Sequence, residues 1–191
     1  MKLRDVLFSE KSKRGVVFYE KLLKWLDNPK RKKYNNPTKL VANACLCNGQ
    51  VVLEIGCGSG FFTEEIAKCV GKEGCVYATD IHPIAIKEME KKVTTLGLSN
   101  VVVQQQDALN TTFADNMFDM IILYGVIPAP VIPLKELSKE IYRILKPNGV
   151  CAIWTAAPFW RPKAIQKYGN FVQMKRLYPI FRLQKKYEKI G

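Results

Sequence analysis

Val51-Val52-Leu53-Glu54-Ile55-Gly56-Cys57-Gly58-Ser59-Gly60-Phe61-Phe62 decides the fold. A short β-branched strand carries an acidic residue near its end. Three glycines follow at alternate positions, and an apolar helical pattern begins behind them. Glycine lacks Cβ, so the chain can turn sharply and a ligand can approach the backbone. A helix opening behind such a turn offers N–H donors and the positive end of its dipole. In open α/β sheets ligands settle there, beyond the carboxyl end of a strand. The spacing argues against two common ligands. A dinucleotide loop needs its third glycine three residues after the second. That position is Phe61, and the glycine comes one residue early, at Gly60. A phosphate loop needs a Gly-Lys-Ser/Thr ending, and none is present.

Working outward, strands and helices alternate. The pattern predicts strand 51–55, helix 61–70, strand 75–80, helix 83–96, strands 101–105 and 118–124, helix 133–146 and strand 149–155. Pro83 suits a first helical turn and Gly97 a helix stop. Val/Ile-rich strands between helices argue for a parallel sheet covered on both faces. Phe171–Met174 and Ile180–Leu183, split by Tyr178-Pro179, read as a closing hairpin. Upstream, Val6 and Leu7 precede an amphipathic helix running from Val16 to Asn28-Pro29. Lys30-Arg31-Lys32-Lys33 reads as a solvated charge run or joint. Asn36-Pro37-Thr38 opens a short helix over 38–46, and Asn48-Gly49 is a turn.

The 191 residues suit one domain with a sizeable core. We expect a helical lid over 1–47, a cofactor core over 48–157 and a basic segment over 158–191 that completes the sheet. The net charge of +13 divides unevenly: residues 1–40 hold 12 Lys/Arg against 4 Asp/Glu, 41–150 hold 9 against 12, and 151–191 hold 9 against 1. Basic ends suit an anionic surface or substrate, or solvated lysine. No apolar run approaches the roughly 18 residues of a spanning helix. No secretory signal is apparent, and the reading expects a cytoplasmic protein with reduced thiols. Cys45 and Cys47 form a lone C-x-C without a second pair at metal spacing, so no metal site is expected.

Glu54–Gly60, E-x-G-x-G-x-G, resembles motif I of the class I S-adenosylmethionine-dependent methyltransferases. Asp80-Ile81, Gln106-Asp107-Ala108, the strand 118–124 and the stretch Ile141–Gly149 resemble later motifs of that family, in order, across residues 51–155. The resemblance implies a Rossmann-like, doubly wound α/β fold. Its sheet has seven mostly parallel strands, helices on both faces and a C-terminal antiparallel hairpin. It implies S-adenosyl-L-methionine as cofactor. Gly56, Gly58 and Gly60, with Cys57 between them, would approach the methionine part. Glu54 would position the ammonium or ribose end, directly or through water. Asp80 would take the ribose hydroxyls, Ile81 would pack on adenine, and Asp107 and Ala108 would border its edge. Tyr124 and Gly125 would border the methionine and the transferring methyl. The motifs look closest to the small-molecule branch that includes quinone-biosynthesis C-methyltransferases.

A sulfonium methyl is already activated, so orientation and exclusion of water supply most of the catalysis. A base is needed only where the nucleophile carries a proton, and no catalytic residue is assigned. His82, the one histidine, reads as a helix cap or surface residue. Asp119, at the start of its strand, reads as structural, and Glu64 and Glu65 as solvent-facing. Leu123-Tyr124-Gly125-Val126 stands where nucleobase-amine enzymes carry N-P-P-Y. The apolar run Gly125–Pro133 favours a small hydrophobic or aromatic acceptor, a lipid-like one included. Pro158-Phe159-Trp160-Arg161-Pro162-Lys163 interleaves aromatics with cations, which suits single-stranded nucleic acid, an anionic membrane surface or the outer face of a hairpin. Two rival functions stay open: an RNA methyltransferase using both basic ends, and a cofactor-binding module without catalysis.

Overall fold

The computed structural model describes residues 13–26, 28–129 and 131–186. Val6, Leu7 and the rest of the lid's first 12 residues, Pro130, and residues 187–191 of the basic end lie outside the described residues. The strands are β1 (Val51–Ile55), β2 (Cys75–Asp80), β3 (Val101–Gln105), β4 (Phe118–Tyr124), β5 (Leu145–Trp154), β6 (Phe171–Gln173) and β7 (Phe181–Lys185). They form one seven-stranded sheet in the order β3-β2-β1-β4-β5-β7-β6. The first five run parallel, and β7 is antiparallel to both β5 and β6. The chain builds outward from β1 in one direction and then crosses to β4 on the other side. The carboxyl ends of β1 and β4 therefore flank the crevice of the topological switch point.

Alternation along the strands divides the core between two faces. Val52, Val76, Ala78, Met120, Ile122, Tyr124, Ala152 and Trp154 pack on one face with Phe62, Ile66 and Met89. Leu53, Ile55, Ile121, Leu123, Cys151 and Ile153 pack on the other with Leu137, Ile141 and Ile144. Eight helical residues, Thr63–Val70 (α4), follow β1, and α5 (Pro83–Leu96) follows β2. α6 (Leu134–Ile144) and α7 (Lys163–Gly169) cover the second face. Ahead of the sheet lie α1 (Lys13–Leu26), α2 (Pro29–Tyr34) and α3 (Pro37–Ala42). α1 packs on α5 by burying Tyr19 and Leu23 beside Ala85.

Several boundaries differ from the sequence reading. The glycine turn holds Phe61 and Phe62 out of the helix, which begins at Thr63 and not at 61. The helix expected over 133–146 stops at Ile144. Leu145 is already extended (φ −80, ψ 133) and begins β5, where it pairs with Phe118. Asn148 at φ 62 then makes an irregularity before Val150 pairs with Met120. The helix expected over 38–46 ends at Ala42, and Cys45 turns at φ 62. Lys30–Lys33 is no loose joint. It lies in α2, which Asn28 caps by accepting the Lys30 N–H at 2.9 Å. Asp119 is structural as expected: it accepts the Val51 N–H at 2.9 Å and pairs with Lys146 at 2.8 Å.

Candidate functional site

The glycine turn is tied to the end of β2 by its own backbone. Gly56 and Cys57 both donate to the Thr79 carbonyl, at 2.8 and 2.9 Å. Gly58 donates to Asp80 Oδ2 at 3.1 Å. Gly56 has φ +73, and a Cβ there would stand 2.6 Å from Val126 Cγ2. Only glycine lets the β1 turn and the segment after β4 approach this closely.

Asp80 is the hub. Its Oδ1 accepts the Tyr19 hydroxyl at 2.7 Å and the His82 N–H at 3.0 Å, while Oδ2 holds Gly58. It is 6% exposed. Burial raises its pKa, against the lowering effect of these three donors. Tyr19 stacks on His82, centroids 3.9 Å apart and 7° from parallel. Burial, then the Asp80 charge, pushes the Tyr19 phenol upward, so it stays a neutral donor. His82 caps α5, its Nδ1 accepting the Ile84 N–H at 3.2 Å. It is a cap as expected, but it is fully buried, not on the surface.

Between these groups lies a cavity of roughly 270 Å³. Gly56, Gly58, Asp80, Ile81, Ala108 and Gly125 line it, so six of the sequence candidates converge. Tyr19, Leu22 and Leu26 enter from α1, Thr79 from β2, and Gln106 and Leu109 from the segment after β3. Val126, Ala129, Ile132 and Leu137 complete an apolar wall. Asp80 is the one charged side chain among these lining residues.

The other candidates stand outside this lining. Tyr124 shares a sheet face with Met120 and Ile122, because side chains alternate along a strand. Its ring meets Phe62 edge-on, and its hydroxyl donates to the Leu40 carbonyl at 3.0 Å, in the core and away from the cavity. Glu54 is 2% exposed and accepts the Thr63 hydroxyl, so it props the start of α4 and is not a cavity wall. Cys57 turns its thiol into the core. Gly60 lies against α5, where an added Cβ would meet Met89 Sδ at 2.5 Å. Asp107 accepts the Leu109 N–H at 2.9 Å and shapes the turn whose neighbours line the cavity. Tyr19, Leu22 and Leu26 lie in the segment expected to form the helical lid but were not among the candidate site residues. Helical periodicity marks a buried face of α1, but nothing local says what that face covers.

Burial pushes the Glu54 pKa up to about 7, with the Thr63 hydroxyl and Lys92 opposing it. The folded state therefore binds this proton more tightly than the unfolded chain. That contribution to stability is complete below the ordinary value of 4.5 and is lost as pH rises through about 7. A shift of this size corresponds to about 3 kcal/mol. Glu54→Gln is expected to exceed wild type by about 1–3 kcal/mol in urea unfolding at pH 8, the gap narrowing toward pH 4.5. A gap that stays constant with pH would refute the titration of Glu54.

Comparison with known proteins agrees with the geometry. Residues 46–186 match the family described as "Methyltransferase domain", and the chain belongs to that family. The demethylmenaquinone methyltransferase of Geobacillus stearothermophilus is 31% identical over 137 residues, 71% of this chain and 53% of that protein. The aklanonic acid methyltransferase DauC of Streptomyces sp. (strain C5) is 40% identical over 83 residues, 43% of this chain and 38% of that protein. A SAM dependent methyltransferase from Aquifex aeolicus superposes with a TM-score of 0.71 at 25% identity, over 86% of this chain and 96% of that one. The chain spans about half the length of the curated relatives it matches.

Proposed function

We propose that the cavity binds S-adenosyl-L-methionine and that the protein transfers its methyl group to a small hydrophobic or aromatic acceptor. One observation carries this reading: among the described residues a single buried carboxylate, Asp80, faces a mostly apolar cavity at the switch point, bonded to the glycine turn. A carboxylate has about four acceptor positions, and Asp80 uses three in this structure. A ribose diol fits the remaining position together with the one now taken by the Tyr19 hydroxyl. Ile81 and Ala108 offer an adenine its apolar surfaces, and Gly56, Gly58 and Gly125 let an amino-acid tail lie on bare backbone. When bound, the cofactor supplies an activated methyl. The chain's own part is to hold the acceptor in line and keep water out, which the wall of Leu22, Leu26, Val126, Ile132 and Leu137 suits. α1 serves as the lid.

The relatives' names point to ring acceptors, and the apolar wall suits a hydroxylated ring with a greasy tail. The outward face of α1 favours a lipid surface as the source. Phe18 and Trp25, 49% and 67% exposed, sit two helical turns apart with Lys21 between them. Among the described residues no helix is long and apolar enough to cross a membrane, so such contact would be at the surface. The test is transfer of labelled methyl to reduced demethylmenaquinone in anionic vesicles, with RNA as a competing acceptor. Label is expected in the quinol. Label in RNA would support the nucleic-acid rival, and cofactor binding with no transfer to either acceptor would support the non-catalytic module.

A further inference from the structure

We infer that Arg31 binds the cofactor's amino-acid carboxylate, as a clamp that the helical segment before the sheet lends to the site. The inference rests on the adenosylmethionine reading above. With adenine at Ile81 and Ala108 and ribose at Asp80, the tail runs over Gly58 and Gly56 toward Gly125. That end of the ligand is a carboxylate. An anion entering an apolar cavity is costly unless it is paired. Among the described lining residues there is no Lys, Arg or His, so a cationic partner is sought at the rim.

Arg31 stands at that rim. Its Nη2 lies 3.9 Å from the point a Gly125 Cβ would occupy. Its Cζ lies 4.1 Å above the Phe61 ring and 5.6 Å from the Phe62 ring, the two residues that close the glycine turn. The guanidinium thus bridges the gap between the β1 turn and the end of β4. It is aimed, not trailing: Nη1 donates to the Leu26 carbonyl at 3.1 Å, and Leu26 itself lines the cavity. Stacking on an aromatic face while presenting a planar fork to a carboxylate is a geometry that lysine cannot copy. Among the described residues Lys92 is a second cation beside the turn. Its ammonium donates to the Gly60 carbonyl, at the residue packed against α5. Among the described residues Arg31 is therefore the cation placed at the Gly125 end of the cavity.

The test compares two ligands that share the adenosine part and differ in the tail. S-adenosylhomocysteine carries the amino-acid carboxylate, and 5′-methylthioadenosine does not. Calorimetry would give both affinities for wild type, Arg31→Ala and Arg31→Lys. In Arg31→Ala, S-adenosylhomocysteine is expected to weaken by about ten- to a hundredfold, as for loss of a charged hydrogen-bond pair. Methylthioadenosine is expected to change by less than about twofold, because it has no carboxylate to lose. Arg31→Lys should fall between wild type and Arg31→Ala for the homocysteine ligand. Equal weakening of both ligands would overturn the inference and make Arg31 a packing residue of the lid. Unchanged affinity for S-adenosylhomocysteine would overturn it outright. Wild type that binds neither ligand would overturn the cofactor reading, and the inference with it.

Discussion

Asp80→Ala is expected to weaken S-adenosylmethionine and S-adenosylhomocysteine binding by about a hundredfold or more, the effect of losing two charge-assisted hydrogen bonds at about 1.5–3 kcal/mol each. The loss has two sources. The carboxylate is the proposed acceptor for the ribose diol. It also holds the Gly58 N–H at 3.1 Å, so its removal loosens the glycine turn itself. Because the diol belongs to the adenosine part, 5′-methylthioadenosine should weaken in parallel. That pattern differs from the one expected of Arg31→Ala, which spares methylthioadenosine, and the two variants together divide the ligand into its halves. Asp80→Asn is the companion variant. It keeps the shape, so the buried Tyr19 hydroxyl and His82 N–H retain one oxygen acceptor. It should remain folded and still lose most of the affinity. Calorimetry showing wild-type affinity in either variant would remove the site as drawn.

Gly56→Ala is the second large effect. The residue sits at φ +73, a region that costs an L-residue roughly 1–2 kcal/mol. Its new Cβ would also stand 2.6 Å from Val126 Cγ2, so the β1 turn and the segment after β4 must separate. The cavity opens between those two pieces of chain. We expect cofactor affinity to fall by about tenfold or more for a loss of at least 1.4 kcal/mol, and the melting temperature to fall by roughly 2–8 °C for a chain of this size. Val126→Ala in the same chain should restore the steric part and leave the backbone strain. If Gly56→Ala binds and melts as wild type, the close approach of the two segments is not what the site requires.

The elements were legible where local chemistry repeats a period. β1 to β4 fall at the bounds that Val/Ile runs predict, and α5 spans Pro83–Leu96, between a tolerated proline and a left-handed Gly97. The failures came where long-range packing overrode a local pattern. Lys146 continues a helical run in the sequence, but Leu145 is extended and fully buried because β5 pairs with β4 from that residue. The run Lys30–Lys33 looks like solvated charge, and three of its cations do face outward. The fourth, Arg31, turns inward because the Leu26 carbonyl and the Phe61 ring receive it.

Site residues divide in the same way. Gly56, Gly58 and Asp80 are readable because the turn needs them whatever the rest of the chain does: positive φ at the glycines, and a carboxylate to receive the Gly58 N–H. For Tyr124 the direction of the side chain was not readable. Whether a strand-end tyrosine faces ligand or core depends on which face the neighbouring helices cover, and here Leu40 and Phe62 claim it.

By itself the sequence determined the doubly wound fold, the place of the crevice and the glycine turn that lines it, since each depends on contacts close along the chain. Only the tertiary structure decided that Tyr19 reaches Asp80 across 61 positions and that Arg31 reaches the end of β4. No periodicity encodes that meeting. It follows from how α1 packs, with Tyr19 and Leu23 buried against α5.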